Sequence, residues 1–295
     1  EGFLPNGSTS TNDGGTFLTT LRRKSFLSMQ DPTNTIFPQR LNAEAVAPNR
    51  FFHYVDTFRE GGALPPMLQL KVEHTRRVVA DALRIMQAEN WPNDRIQEGL
   101  WAAWLHDISR FEQFLRYGTF SDRKSIDHGA RSAELIAEKK LLDGLPLEVT
   151  ARITEAVRVH NKKSIPPEHQ GVQLDLSRLV RDADKLDILA LLRHTAERGE
   201  LLKNPDIFWG LPVHAPVNPT VRLAIQNRQP VDYQAITSLA DFVMIQVGWI
   251  NCGLEFPATR ALAAERNELE FRRQLLLELT ADPTLQTLFE NLSSN

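Results

Sequence analysis

The sequence predicts an all-α fold, and three observations support this class. Apolar residues recur at helical spacing from about residue 50 onward, no segment alternates as a half-buried strand does, and no hairpin turn signal is present. The 295 residues are 42% hydrophobic, so the chain is long enough to bury a substantial core.

Five helices are predicted in the first two thirds of the chain. The first covers LQLKVEHTRRVVADALRIMQAEN, and Trp91 and Pro92 end it. The second, NDRIQEGLWAAWLHD, begins at a capping Asn93 or Asp94 and is apolar along one side. HGARSAELIAEKKLL and LEVTARITEAVRVH follow, and a loop with two prolines leads into the long fifth helix, VQLDLSRLVRDADKLDILALLRHTAE.

The chain divides into three predicted regions. Residues 1–48 are expected to form a flexible leader, because EGFLPNGSTSTNDGGTF is rich in Gly, Ser, Thr and Asn and has no apolar period. Residues 49–210 form the predicted core. Residues 211–295 supply helices that cover this core or form a homo-oligomer interface, and LADFVMIQVGWI among them is apolar all round and therefore predicted to be buried.

The overall composition argues against several classes of function. A net charge of -3 gives no basic excess of the kind that marks a nucleic-acid-binding protein. Cys252 is the only cysteine, which excludes an intrachain disulfide and fits a reducing compartment. No apolar run is long enough for a transmembrane helix and no signal peptide is evident, so the sequence predicts a cytoplasmic protein without a membrane partner.

The histidines and aspartates that could bind a metal fall about one set per predicted helix. They are His74, His106, Asp107, His128, His160 and Asp184. Metal sites in the core of helical bundles are built in this way from facing helices. Imidazole and carboxylate suit Mn, Fe, Co, Ni or Zn. Four imidazoles and two carboxylates are too many for one ion, so two ions with Asp107 as the bridge are expected.

Each residue of this set, taken alone, can be explained without a metal. A lone helical histidine is usually solvated or hydrogen-bonded in the core, so the order of the residues carries more weight than any one of them. Asp182 and Asp187 compete with Asp184, but they are expected to point elsewhere on the helix. Lys185 is predicted to be a surface lysine.

His74, the His106–Asp107 pair and Asp184 resemble the HD superfamily of metal-dependent phosphohydrolases. The resemblance covers roughly residues 65–200 and rests on KVEHTRRV, LHDISRF, DHGARSAELI, VRVH and RDADKLD. It implies an HD-domain helical bundle with the metal site in its core. It also implies that these four residues bind the first ion, and that His128 and His160 hold a second one, as in the binuclear branches.

The signatures of particular branches are incomplete. Ser109 and Arg110 stand where the HD-GYP branch has Gly and Lys, and His160–Asn161 stands where it has a His-His pair. Arg110 and Phe111 replace the Glu-Asp pair of the alarmone hydrolases. The chain resembles the symmetrical dinucleoside-tetraphosphate hydrolases about as closely as any other branch.

The resemblance implies hydrolysis of a small phosphorylated substrate, namely a phosphomonoester, a phosphodiester or a nucleotide, by a metal-activated water. Asp107 would hold the ions and could accept a proton. Arg110 would clamp a phosphate, or else pair with Asp107 or Glu112. Arg123 and Lys124 would meet the anionic substrate, or else lie in a solvated loop.

Two other function classes fit the same ligands. Some HD members are di-iron oxygenases that cleave C–C or C–P bonds, and the identity of the metal separates them from hydrolases. A non-enzymatic HD scaffold for signalling is the third possibility, although such domains usually lose ligands. The nearby aromatic residues, Phe111, Phe114, Tyr117 and Phe120, would pack in the core or stack on a base.

Overall fold

The structure is a computed structural model that describes residues 42–201, 210–213, 215–280, 282 and 284–293. Within these residues the secondary structure is helical, apart from one isolated bridge between Glu60 and Ala63. The all-α class is therefore confirmed.

Twelve α-helices follow one another along the described residues. They are α1 (Ala43–Val55), α2 (Pro66–Ala88), α3 (Asn93–Leu105), α4 (Arg110–Tyr117), α5 (His128–Glu138), α6 (Leu147–Val159), α7 (Gly171–Glu197), α8 (Pro219–Gln226), α9 (Leu239–Gly248), α10 (Pro257–Glu265), α11 (Glu268–Leu279) and α12 (Thr284–Ser293). Short 3-10 helices lie at Asp56–Phe58, Asp122–Lys124 and Tyr233–Ala235, and a π-helix, Trp249–Gly253, continues α9.

Helix α1 begins inside the segment that the sequence predicts as a leader. The Asn42 side chain accepts a hydrogen bond from the backbone N–H of Glu44 at 2.8 Å and so caps the helix. Ala43 and Ala47 are fully buried, and Phe51 extends the same face. Residues 1–41 lie outside the described residues, so the rest of the leader and the division into three regions stay predictions.

The larger of two hydrophobic clusters joins α1 to α7 and also includes part of α10. Gly99 on α3 shows how closely its helices pack. A Cβ atom at Gly99 would lie 2.3 Å from Met86 Sδ on α2 and 2.7 Å from Leu179 Cδ2 on α7. A larger residue at Gly99 would displace both side chains, so the glycine lets the middle of α3 pack closely against the end of α2 and the middle of α7.

The second hydrophobic cluster is built from the C-terminal helices and from the end of α7. All ten residues of α9 are buried in it, which confirms that this apolar helix is internal. Leu189 of α7 belongs to the first cluster and Leu192 to the second, so one long helix joins the two. None of the described helices is both long enough and apolar enough to cross a membrane.

Two buried carboxylates connect elements of the first cluster. Glu98 on α3 is buried and accepts hydrogen bonds from Arg152 on α6 at 2.9 and 2.7 Å. Asp182 on α7 accepts the backbone N–H groups of Glu255 and Phe256, at 2.9 and 3.0 Å. Asp182 therefore anchors the segment before α10, on a side of α7 different from that of the predicted ligand Asp184.

Candidate metal centre

The structure brings all six predicted ligands together where five helices meet. They are His74 in α2, His106 and Asp107 at the end of α3, His128 at the start of α5, His160 at the end of α6, and Asp184 in α7. All except Asp184 are buried, and the Asp184 side chain is 19% exposed. The apolar α3 thus delivers a histidine and a carboxylate into the interior of the protein, where such groups require partners.

Four of these side chains form a first set of donor atoms. His74 Nε2 lies 3.1 Å from His106 Nε2, 3.3 Å from Asp107 Oδ2 and 3.2 Å from Asp184 Oδ1. His106 Nε2 lies 3.7 Å from Asp107 Oδ2 and 3.9 Å from Asp184 Oδ1. Ligand atoms bound tetrahedrally to one ion at about 2.1 Å are roughly 3.4 Å apart. The spacing of the first set therefore fits one metal ion.

A second set of donor atoms lies on the other side of the Asp107 carboxylate. Asp107 Oδ1 is 3.4 Å from His128 Nε2 and 3.6 Å from His160 Nε2, and these two nitrogens are 3.1 Å apart. Asp107 therefore faces one set with each of its oxygens. A bridging carboxylate between two ions has this arrangement.

In each set of donor atoms, one histidine is oriented by an aspartate. His74 Nδ1 donates to Asp187 Oδ2 at 2.6 Å, and His128 Nδ1 donates to Asp122 Oδ2 at 2.5 Å. An aspartate behind a metal-binding histidine fixes the tautomer and the ring orientation. Asp187 was predicted to point elsewhere, and this was wrong, because residues three apart on a helix share a face and Asp187 follows Asp184 by three.

The other two histidines are oriented by the helices that they end. His106 Nδ1 donates to Ala103 O at 2.8 Å, and His160 Nδ1 donates to Val157 O at 2.7 Å. Each ring thereby satisfies a carbonyl of the last helical turn. Each ring thereby turns its Nε2 toward the other donor atoms of its set, where two imidazole nitrogens lie 3.1 Å apart. Imidazole and carboxylate donors that converge in this way are those that a divalent transition metal binds, so the residues fit bound metal.

The electrostatic surroundings of the histidines differ. Burial lowers the pKa of His106 to about 4, and burial together with Arg110 lowers that of His128 to about 4, so both rings are neutral donors. Burial and Lys71 lower the pKa of His74, but hydrogen bonds to three carboxylates outweigh them and raise it to about 10. The carboxylates around His74 thus attract positive charge strongly.

Two basic side chains contact the shared carboxylate. Lys71 Nζ lies 2.8 Å from Asp107 Oδ2, and Arg110 Nε lies 3.3 Å from Asp107 Oδ1. Burial raises the pKa of Asp107, but Lys71 and Arg110 lower it more, so the net pKa is well below the ordinary value. Sequence reasoning missed Lys71, although its position three residues before His74 places it on the same face of α2.

Arg110 makes more contacts than the sequence suggested. Besides Asp107, its guanidinium donates to His128 Nε2 at 3.1 Å, to Gln113 at 2.7 Å and to Asp122 at 3.0 Å. The predicted alternative of a pair with Asp107 is thus present. The pair with Glu112 is not, because Glu112 bonds to Arg131.

The loop before α5 contributes a residue other than those predicted. Arg123 and Lys124 are exposed, and their side chains make no hydrogen bond or ion pair with any described residue. Asp122, directly before them, orients His128 instead. No pattern in the sequence marks Asp122, because its contact depends on how the loop folds back. Substrate binding by Arg123 and Lys124 stays a prediction.

Phe111 and Phe120, two of the aromatic residues noted in the sequence, lie in different surroundings. Phe111 is fully buried and packs edge-on against Phe51 at 5.7 Å. Phe120 instead lies beside the basic residues of the site, with its ring centre 5.2 Å from Lys71 Nζ and 5.9 Å from the Arg110 guanidinium. It therefore limits access of water to these two cations.

Comparison with known proteins identifies one family. Residues 72–189 match the family described as HD domain, whereas no curated protein and no solved structure is detectably similar to the chain. The matched segment contains all six predicted ligands and the two aspartates that orient His74 and His128. The resemblance to the HD superfamily is therefore confirmed over residues 72–189.

Proposed function

We propose that the chain is a metal-dependent phosphohydrolase that acts on a phosphomonoester, a phosphodiester or a nucleotide. The observation that carries this proposal is the position of Asp107, which faces a set of imidazoles with each oxygen. The HD domain supports the hydrolase class. Lys71 and Arg110 next to Asp107 favour an anionic substrate.

The first ion would be held by His74, His106, Asp107 and Asp184, and the second by Asp107, His128 and His160. Imidazole and carboxylate donors suit Mn, Fe, Co, Ni or Zn. When bound, two such ions supply a water of lowered pKa and neutralise the charge that develops on a phosphoryl group.

The side chains around these ligands have separate roles. Asp107 stays ionised because of its two basic neighbours, so both of its oxygens remain available as ligands at neutral pH. Arg110 has a planar guanidinium that can donate two parallel hydrogen bonds to a phosphate. Phe120 shields both cations from water, which strengthens their attraction for the substrate.

The position of Arg110 bears on whether the centre holds one ion or two. Its guanidinium donates to His128 Nε2 and lies beside Asp107 Oδ1, so it contacts the same donor atoms as the second ion would. If Arg110 stays there, it supplies the positive charge of the second set and the centre holds one ion. We propose two ions, and the metal content distinguishes the two cases.

The first experiment is metal analysis by plasma mass spectrometry of protein purified without chelator. We expect two equivalents of Mn, Co, Ni or Zn in the wild type and about one in His128→Ala. His194→Ala is the matched control, because His194 lies on α7 with its side chain 61% exposed, and its metal content should equal that of the wild type. One equivalent that His128→Ala leaves unchanged would make the site mononuclear.

Hydrolysis of p-nitrophenyl phosphate and bis-p-nitrophenyl phosphate then tests the reaction. Asp107→Asn should lower the rate by at least about 100-fold, since the carboxylate that faces both sets of donor atoms is changed. An iron pair in mixed valence, without hydrolysis of either ester, would indicate a di-iron oxygenase. Protein that binds no metal would indicate a scaffold.

A further inference from the structure

A cavity of about 460 Å³ lies next to the metal centre, on another face of α7. The loop after α6 and the segment from Ile225 to Glu255 complete its walls. None of the six predicted metal ligands is among the described residues that line it. Its volume falls within the range of cavities that bind small molecules.

The lining of this cavity is strongly basic. The basic side chains among the described lining residues are Lys163, Arg178, Arg181, Lys185 and Arg228. Glu255 is the one carboxylate among them, and it pairs with Arg178 at 3.3 Å. The other four basic residues have no carboxylate within ion-pair distance in the described part of the chain. Lysine and arginine side chains thus outnumber carboxylates five to one in the described lining, and the cavity carries a net positive charge.

Part of this charge is built into the protein interior. Arg181 is only 9% exposed, and its guanidinium donates to the backbone oxygens of Val159 and His160, at 3.3 Å each. Lys185 was predicted to be a surface lysine, but it is half-buried and donates to Gly253 O. Asp182, Asp184 and Glu255 lie beyond ion-pair distance and offset the cost of burying these cations only in part, so an anion in the cavity would stabilise both residues.

The rest of the lining suits an organic group. Tyr233 and Trp249 bring aromatic rings to the cavity, and Ile165, Val231 and Ile245 bring aliphatic surface. We propose that the cavity binds an organic phosphate of nucleotide size, with the phosphate at the basic residues and the organic part against the aromatic ones. This ligand site is separate from the metal centre, and its existence does not depend on the proposed hydrolysis.

Isothermal titration calorimetry with ADP on the metal-containing protein tests the proposal. Lys163 and Arg228 are exposed cavity residues whose side chains bond to no described residue, so Lys163→Glu/Arg228→Glu can be made without disturbing the fold. We expect this double variant to raise the Kd for ADP at least tenfold. Arg116→Glu is the control, since Arg116 is exposed and does not line the cavity, and its Kd should match that of the wild type.

Titration after chelation separates this site from the metal centre. ADP should still bind once the metal is removed, and plasma mass spectrometry should show the same metal content in the double variant as in the wild type. The proposal would be overturned if ADP binding were lost on removal of the metal but unchanged in the Lys163→Glu/Arg228→Glu variant. ADP would then bind at the metal centre. Absence of ADP binding to the wild type would also overturn it. Either result leaves the hydrolysis of nitrophenyl esters as an independent finding.

Discussion

Asp187 controls the first set of ligands although it is not one of them. It accepts the Nδ1 proton of His74 at 2.6 Å and pairs with Arg77 through two hydrogen bonds. Arg77 fixes the carboxylate, and the carboxylate fixes the ring. Residues in this position increase the basicity of the bound imidazole and hold its lone pair toward the metal.

Asp187→Ala should therefore weaken metal binding by about 10–100-fold without unfolding the protein. Competition with a chromophoric chelator measures the affinity, and circular dichroism checks the fold. Asp175→Ala provides the control on the same helix, since Asp175 contacts none of the ligands. Equal affinities in the two variants would mean that packing alone orients His74.

Helices α3 and α6 deliver their ligands in the same way. Each ends in a histidine whose Nδ1 donates to the carbonyl three residues earlier, so the last helical turn itself aims Nε2 at the metal. The two helices are also held to one another by Glu98 and Arg152. Gly129, at the start of α5, allows the end of α6 to approach, since a Cβ there would lie 2.8 Å from Arg158 O.

Arg152→Met should destabilise the protein by about 3 kcal/mol, because it leaves the buried Glu98 carboxylate without its partner. Urea denaturation measures the loss, and Glu98→Leu/Arg152→Met should recover much of it. Arg158→Met is the control on the same helix. It breaks an exposed pair with Glu155 and should cost no more than about 1 kcal/mol.

At the scale of the whole molecule, the centre joins five helices of the first hydrophobic cluster. These helices also bury a continuous apolar core, with Trp101, Phe51 and Phe111 among its largest fully buried side chains. The core accounts for the fold, and a metal bound at the centre would add to the stability of the folded form alone. Any species that binds only the folded state raises the free energy of unfolding in this way.

Removal of metal should lower the Tm while the far-ultraviolet circular dichroism stays helical. An ion present at 100 times its Kd adds about 2.7 kcal/mol to the free energy of unfolding. Calorimetry with and without chelator measures the difference, and His74→Ala should show a smaller response to chelator. A loss of helical signal on chelation would show that the core cannot hold the fold alone.

The sequence predicts the helices well where their apolar pattern is regular. The apolar pattern predicts α2, α3, α6 and α7, and these four helices carry most of the ligands. The predicted cap of α3 at Asn93 or Asp94 was wrong, because Pro92 precedes the helix and no side chain caps it. Helix α1 was missed because Pro48 interrupts a stretch that is rich in small residues. The start of α1 is held against α3 by Gln97, whose side chain accepts the backbone N–H of Ala43 at 2.6 Å.

The residues that surround the ligands were harder to predict. Lys71 and Asp187 lie one helical turn from a ligand, so helix geometry could have identified both. Asp122 and the cavity beside α7 depend on loops that fold back over distant helices, and no local pattern encodes such contacts. Lys185 was misplaced because its cover comes from Gly253, which lies 68 residues later.

The separation of the ligands along the chain has a consequence for biosynthesis. His74 and Asp184 are 110 residues apart, yet their donor atoms lie 3.2 Å from each other. Bringing them together in an unfolded chain would require closing a loop of that length against its entropy. A metal ion held by both residues would therefore bind most readily once α2 and α7 have packed. The ion that such a site retains would then depend on the metals available in the cell at that moment as well as on the ligands.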